Sequence, residues 1–264
     1  MNLAITSKIL SLILISGTIA AKGQPAEHVT LNINNVAGGS PLVLNDRTYT
    51  NSFGEQFTIT TLNYFISNIT LRRKDGSEYI VPQDSCYFLV REIDSTTKRI
   101  PLTVPKGEYT AIHFIIGVDS PRSTSDLRHR TDALDISSGM LEGMYWTWNS
   151  GYIFFKLEGI CEQAKPDMTG LRKFHYHIGG FGGYDKPSLN NIKEVTIDLT
   201  EHGIINTNNK KQVTVNLNAD LLQTFDGKNK ISIVKQPNIM FGVQSKFVAD
   251  NYSAMFSHVS TQTN

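Results

Sequence analysis

Two imidazoles and two indoles are the side chains in this sequence whose type and spacing could do chemistry. The first pair lies in Phe174-His175-Tyr176-His177-Ile178-Gly179-Gly180. Side chains alternate along an extended strand, so His175 and His177 share one face, and Phe174, Tyr176 and Ile178 share an apolar face that turns to the core. Imidazoles at i and i+2 stand roughly 7 Å apart at Cβ, close enough for two nitrogens to converge on one metal ion. The plainer alternative is a pair of exposed or hydrogen-bonded histidines beside a glycine turn.

The indoles lie in the stretch Gly139 to Gly159, where Trp146 and Trp148 precede a β-favouring run from Tyr152 to Leu157. If that stretch is extended, both indoles lie on one face and Tyr145, Thr147 and Asn149 on the other. Paired tryptophans on a strand commonly pack in a core. His28 begins the alternating segment His28 to Val36, on the polar face opposite Val29, Leu31 and Ile33, where it is solvated or reaches a metal. His113, between Ile112 and Phe114 in the apolar run Tyr109 to Val118, reads as a hydrogen-bonded packing residue.

The elements that must position these groups are strands. A strand-like segment runs from Glu55 to Leu71, with a break expected near Asn63, and Lys74-Asp75-Gly76 turns the chain back through Tyr79 to Val81. Tyr87 to Val90, Val195 to Leu199 and Val213 to Leu217 are further strands. Ala219 to Phe225 reads as a short helix capped by Asn218, and Val248 to Phe256 as a C-terminal helix. Met240 precedes that helix and Met255 lies within it; thioethers can bind reduced copper, but a methionine here more commonly packs. The pattern gives a single all-β domain with long loops and a short C-terminal helix.

Asp119 to Ser138 differs in character. It carries Pro121, three arginines (Arg122, Arg128, Arg130) beside His129, and the acids Asp119, Asp126, Asp132 and Asp135, and reads as a long surface loop able to form a lid over the tryptophan stretch. Gly179 to Tyr184 is glycine-rich but has no following helix with lysine and a hydroxyl residue, so it is not a phosphate loop.

Residues 1–23 read as an export signal, with Lys8, the apolar Ile9 to Ile15 and then small residues, leaving a mature chain of 24–264. The apolar segment is too short to span a bilayer, and no cysteine follows it to carry a lipid, so no membrane anchor is expected. Removing Lys8 and Lys22 from 25 basic and 24 acidic residues leaves 23 against 24. A near-neutral chain has no electrostatic footprint for nucleic acid. Cys86 and Cys161 could pair in an oxidising compartment; equally, Cys86 suits a core position as a free thiol.

Taken in order, Tyr64-Phe65-Ile66-Ser67-Asn68-Ile69, Asp75-Gly76, Val104-Pro105-Lys106-Gly107-Glu108-Tyr109, Ile116-Gly117-Val118-Asp119-Ser120, Met144-Tyr145-Trp146-Thr147-Trp148-Asn149-Ser150-Gly151-Tyr152, Lys156-Leu157-Glu158-Gly159, His177-Ile178-Gly179-Gly180 and Ala249-Asp250-Asn251-Tyr252 resemble the MbnP family. The likeness spans nearly the whole mature chain, while the Asp119 to Ser138 loop departs from the family pattern. It implies an exported, antiparallel β-sandwich-like, copper-binding protein, periplasmic or secreted, related to CorA and MopE. In those relatives one tryptophan is oxidised to kynurenine and joins two histidines at copper. In the MbnP branch the oxidation is attributed to a di-haem partner, MbnH. Carried over, Trp146 and Trp148 are the modification candidates and His177 the best ligand, with His175 and His28 competing for second place. An MbnH-like di-haem peroxidase is the implied partner.

No constellation of nucleophile, base and acid is visible, so catalysis is not expected. The rival reading is a metal-free extracellular module that uses Trp146, Trp148 and Tyr152 as an aromatic platform for glycan or protein. Exposed, flat indoles would favour that module; indoles facing His175 and His177 would favour a metal. A third reading is a protein that exists to be oxidised by its partner.

Overall fold

The computed structural model describes residues 26–147, 151–208 and 212–263. Its principal strands are β1 (Ala26–Ala37), β2 (Gln56–Arg73), β3 (Tyr87–Arg91), β4 (Arg99–Pro105), β5 (Glu108–Ile116), β6 (Tyr145–Trp146), β7 (Gly151–Cys161), β8 (Lys173–Gly179), β9 (Lys193–Asp198), β10 (Val213–Asp220), β11 (Asn238–Ile239) and β12 (Phe256–Thr263). Four short helices are α1 (Ser120–Ser123), α2 (Ile136–Leu141), α3 (Gln223–Asp226) and α4 (Val243–Tyr252).

Two sheets face each other. The smaller runs β12-β10-β1-β4, and the larger β9-β5-β2-β7-β8-β11, with β3 on β2 and β6 on β7. Most pairs are antiparallel, as the alternating segments and tight turns imply. Two are parallel, β1 with β10 and β8 with β11, which makes the sheets mixed. Parallel neighbours cannot be joined by a hairpin, and these partners are far apart in sequence. The main core lies between the sheets: Val29, Leu31 and Ile33 from one side meet Leu62, Tyr64, Phe155, Leu157 and Tyr176 from the other, all buried. Burying side chains of this size contributes about 1.5–3 kcal/mol each relative to exposure.

Several expectations change on contact with the structure. The strand does not break at Asn63, whose side chain leaves the outer face of one continuous β2. The irregularity lies further on, where the pairing with β5 shifts between Ser67 and Thr70 and Asn68 takes φ 54°. Asparagine tolerates that left-handed conformation, and a bulge re-aims the rest of the strand. Asn218 does not cap a helix: it lies within β10, and α3 starts at Gln223. The C-terminal helix begins five residues earlier than expected, and Phe256 already belongs to β12. Cys86 and Cys161 are free, buried thiols. Cys86 Sγ accepts from the Ile69 amide at 2.8 Å, and burial pushes its thiol up to about 11.

The Asp119 to Ser138 segment is more ordered than a polar loop. Its aspartates cap successive turns: Asp119 accepts from the Arg122 amide at 2.9 Å, Asp126 from Arg128 at 2.9 Å and Asp135 from Ser138 at 2.8 Å. Arg122 and Arg130 are buried. As expected, the segment lies over the tryptophan stretch, where Leu134 joins Phe65, Met144, Trp146, Tyr152 and Phe154 in a second, smaller core on the outer face of the large sheet. The Tyr152 hydroxyl donates to the Leu134 carbonyl at 2.7 Å and ties the cover to the sheet.

Candidate metal centre

Strand β8 carries the paired histidines as its alternation demands. Phe174, Tyr176 and Ile178 are fully buried in the main core, and His175 and His177 point outward with ring centroids 5.9 Å apart, edge to face. The flanking strands supply a partner to each ring. In the register of β7 with β8, His177 lies opposite Lys156 and His175 opposite Glu158, while β11 sets Asn238 beside His175.

His177 Nε2 lies 2.7 Å from Glu158 Oε1, and His175 Nδ1 lies 3.1 Å from Asn238 Oδ1. Both acceptors are oxygens, so each imidazole donates there, and the lone pairs remain on His177 Nδ1 and His175 Nε2. A carboxylate or amide oxygen that fixes the tautomer of an imidazole is the arrangement found behind metal-ligating histidines. Lys156 Nζ approaches the same Glu158 oxygen at 3.6 Å. The hydrogen bond from His177 is the main reason Glu158 is held at about 2, against the cost of burial, with Lys156 and the Thr61 hydroxyl adding to it.

Trp146 closes one end of this strand. Along the outward face of β8 the position after His177 is Gly179, and the indole's six-membered ring covers it. A Cβ at Gly179 would sit 2.7 Å from Trp146 Cζ3 and 2.5 Å from the Tyr152 carbonyl oxygen, so only glycine fits. Phe241 meets the indole edge-on at 6.4 Å. Trp146 is 6% exposed and Tyr152 2%. Trp148, the other modification candidate, lies outside the described residues, and so does the expectation that both indoles share a face.

His28 does not join the pair. It is exposed on β1, opposite Thr103 of β4, in the other sheet. His113 is not a core residue either, because it alternates to the outer face, where Nδ1 meets the Thr196 hydroxyl at 2.8 Å. The apolar neighbours that made it look buried point to the opposite side. Glu158, Asn238 and Lys156 were not singled out as site residues by their own sequence signal; the register that brings them to the histidines is long-range. Another pair, His202 and His258, has ring centroids 5.7 Å apart and also carried no local signal. Among the described residues no group of three or more His, Cys, Asp or Glu side chains gathers around one point. The histidine site is thus a two-imidazole set held by two neighbouring strands.

An outward-facing histidine pair on a two-sheet β domain, with a tryptophan packed at the end of its strand, describes the class. The chain belongs to the MbnP family, whose sequence model matches residues 26–241. Comparison with curated proteins gives no match. Among solved structures, MbnP from Methylosinus trichosporium is similar, with a TM-score of 0.53 at 16% identity over 83% of this chain and 82% of that one. At that identity the likeness speaks for the fold.

Proposed function

We propose that this protein is an exported copper-binding protein that stores, takes up or delivers the metal, and that it is not itself an enzyme. The observation that carries the reading is the pair His175 and His177, with rings 5.9 Å apart, each tied by one nitrogen to a neighbouring strand and, among the described residues, without a hydrogen bond at the other. These residues fit copper, since imidazole suits it and each ring is oriented by one nitrogen while the other faces away from that bond. Bound there, copper would supply a Lewis-acidic or one-electron redox centre. The chain's own work is to hold the two rings at fixed orientation, Glu158 and Asn238 acting through them.

Of the two modification candidates, Trp146 is the one among the described residues, and its place beside the histidine strand supports the reading. Its ring lies at the next outward position along the histidine strand, so an oxidised product would add a nitrogen donor at the edge of the pair. An MbnH-like di-haem peroxidase is the proposed oxidant, and the periplasm or exterior the proposed location. No helix among the described residues is long and apolar enough to cross a membrane. The aromatic-platform reading is disfavoured, because Trp146 and Tyr152 are buried rather than presented flat to solvent.

The test is metal analysis and peptide mass mapping of protein purified from its native host with its genomic neighbours expressed. Near-stoichiometric copper with kynurenine in place of Trp146 supports the reading. Copper-free protein that fails to bind added copper overturns it.

A further inference from the structure

We propose a second metal site, separate from the paired histidines of β8: His202 and His258 bind a zinc ion across the seam between the two sheets. β9 is an outermost strand of the large sheet and β12 of the small one. The turn that follows β9 carries His202, and β12 carries His258. Their ring centroids lie 5.7 Å apart, against 5.9 Å for His175 and His177. Zinc takes imidazole nitrogens at about 2.0–2.1 Å, so two rings at this separation can meet around one ion.

His258 has a bare nitrogen to offer. Its Nε2 meets the Thr261 hydroxyl at 3.0 Å, while Nδ1 is buried with no hydrogen-bond partner among the described residues. Native proteins rarely leave a buried polar atom unpaired, and a nitrogen lone pair beside a second imidazole is what a borderline metal ion satisfies. Burial also pushes this imidazole below its ordinary value, which favours the neutral, ligating form. His202 is exposed, and its Nε2 lies 3.9 Å from Glu201 Oε1, beyond hydrogen-bond reach, so the ring can turn toward an ion.

The backbone beneath the pair is already joined. The Thr261 amide donates to the His202 carbonyl at 3.2 Å, and Gly203, at φ 107°, packs against Thr261. Turn and strand are therefore held together without the ion, which lowers the ordering cost of binding. Asp198, at the end of β9, accepts from the Thr200 amide at 2.8 Å and hydroxyl at 2.7 Å, and its charge favours a cation at His258. It offsets the charge of the ion without ligating it, and water completes the coordination. Imidazole selects zinc over magnesium and calcium, which ask for oxygen ligands. Bound there, zinc clips the C-terminal strand to the opposite sheet.

The experiment is zinc chloride titration of the whole protein by calorimetry and thermal unfolding, in a His175→Ala/His177→Ala background that removes the copper pair. One zinc per chain with micromolar affinity is expected, together with a melting temperature that rises with zinc. Further replacement by His202→Gln, at an exposed position, or by His258→Gln should weaken binding about tenfold or more, and His28→Gln should leave it unchanged. Magnesium in about hundredfold excess over zinc should not displace it. Because the copper pair is absent from every sample, failure here and failure of the copper reading are distinguishable. No zinc binding, undiminished binding in His202→Gln, or loss of binding in His28→Gln would overturn the proposal.

Discussion

Phe154, Lys156 and Glu158 leave β7 on the same side, yet they end in opposite environments. Phe154 is fully buried under the 119–146 segment, packed with Phe65 and Val118, whereas Lys156 and Glu158, one and two alternations further on, line a half-buried polar strip with His175 and His177. The strand itself does not decide which of its faces is buried. What covers it does, and here one segment covers one end of the outer face fully and reaches the polar end only at Gly143, beside Lys156, and at Trp146. The covered end is built for stability, and the half-buried end keeps polar side chains in fixed register; Trp146 belongs to the first and borders the second.

That contrast can be broken by exchanging damage between the ends. Phe154→Ala removes a buried ring and should cost about 3–5 kcal/mol in chemical denaturation, while copper affinity of the remaining folded protein changes little. If the folded variant no longer bound copper, the two ends would not be separable. His177→Ala reverses the pattern. Copper affinity measured by chelator competition should fall about a hundredfold or more, with a stability loss of only about 1 kcal/mol. Neither His28→Ala nor His113→Ala should alter that affinity.

Gly179→Ala attacks the border. A methyl 2.7 Å from the Trp146 ring must displace it, because the other neighbour is backbone. The expected cost is about 1–3 kcal/mol, with Trp146 emission shifted to the red in a Trp148→Phe background. Unchanged emission would mean that the indole does not rest on β8.

Glu158→Gln is the mildest test. The carboxyl is held at about 2 against an ordinary 4.5. A depressed acid contributes stability that is fully present above pH 4.5 and is lost as pH falls towards 2. The stability difference between wild type and Glu158→Gln should therefore shrink across that window, and a constant difference from pH 5 to pH 2 would contradict the assignment. Copper affinity should also drop about tenfold as the His177 tautomer loses its anchor.

Much of this was legible locally. Alternation alone places Val29, Leu31 and Ile33 in the core, and it puts His175 and His177 together on one face away from Phe174, Tyr176 and Ile178. It fails wherever the deciding contact is distant. His113 sits among apolar neighbours that all point the other way. Asp119, Asp126 and Asp135 look like the acids of a solvated loop, yet each caps a turn, and their combined effect is to fold the cover over Phe154. Glu158 reads only as part of a family motif until the β7 register sets it against the histidines. His28 shares a residue type with the site and nothing else, since the fold assigns β1 to the opposite sheet.

The central claim is that His175 and His177 together hold one copper ion. Titration of Cu(I) against a competing chelator, run on the protein isolated with the proposed MbnH-like oxidase expressed, on His175→Ala/His177→Ala and on His28→Ala, tests it most directly. One tightly held ion in the wild type and in His28→Ala, absent from the double variant while its unfolding curve stays cooperative, is the predicted result. Retention of that ion by a folded double variant would place copper elsewhere in the molecule and contradict the account.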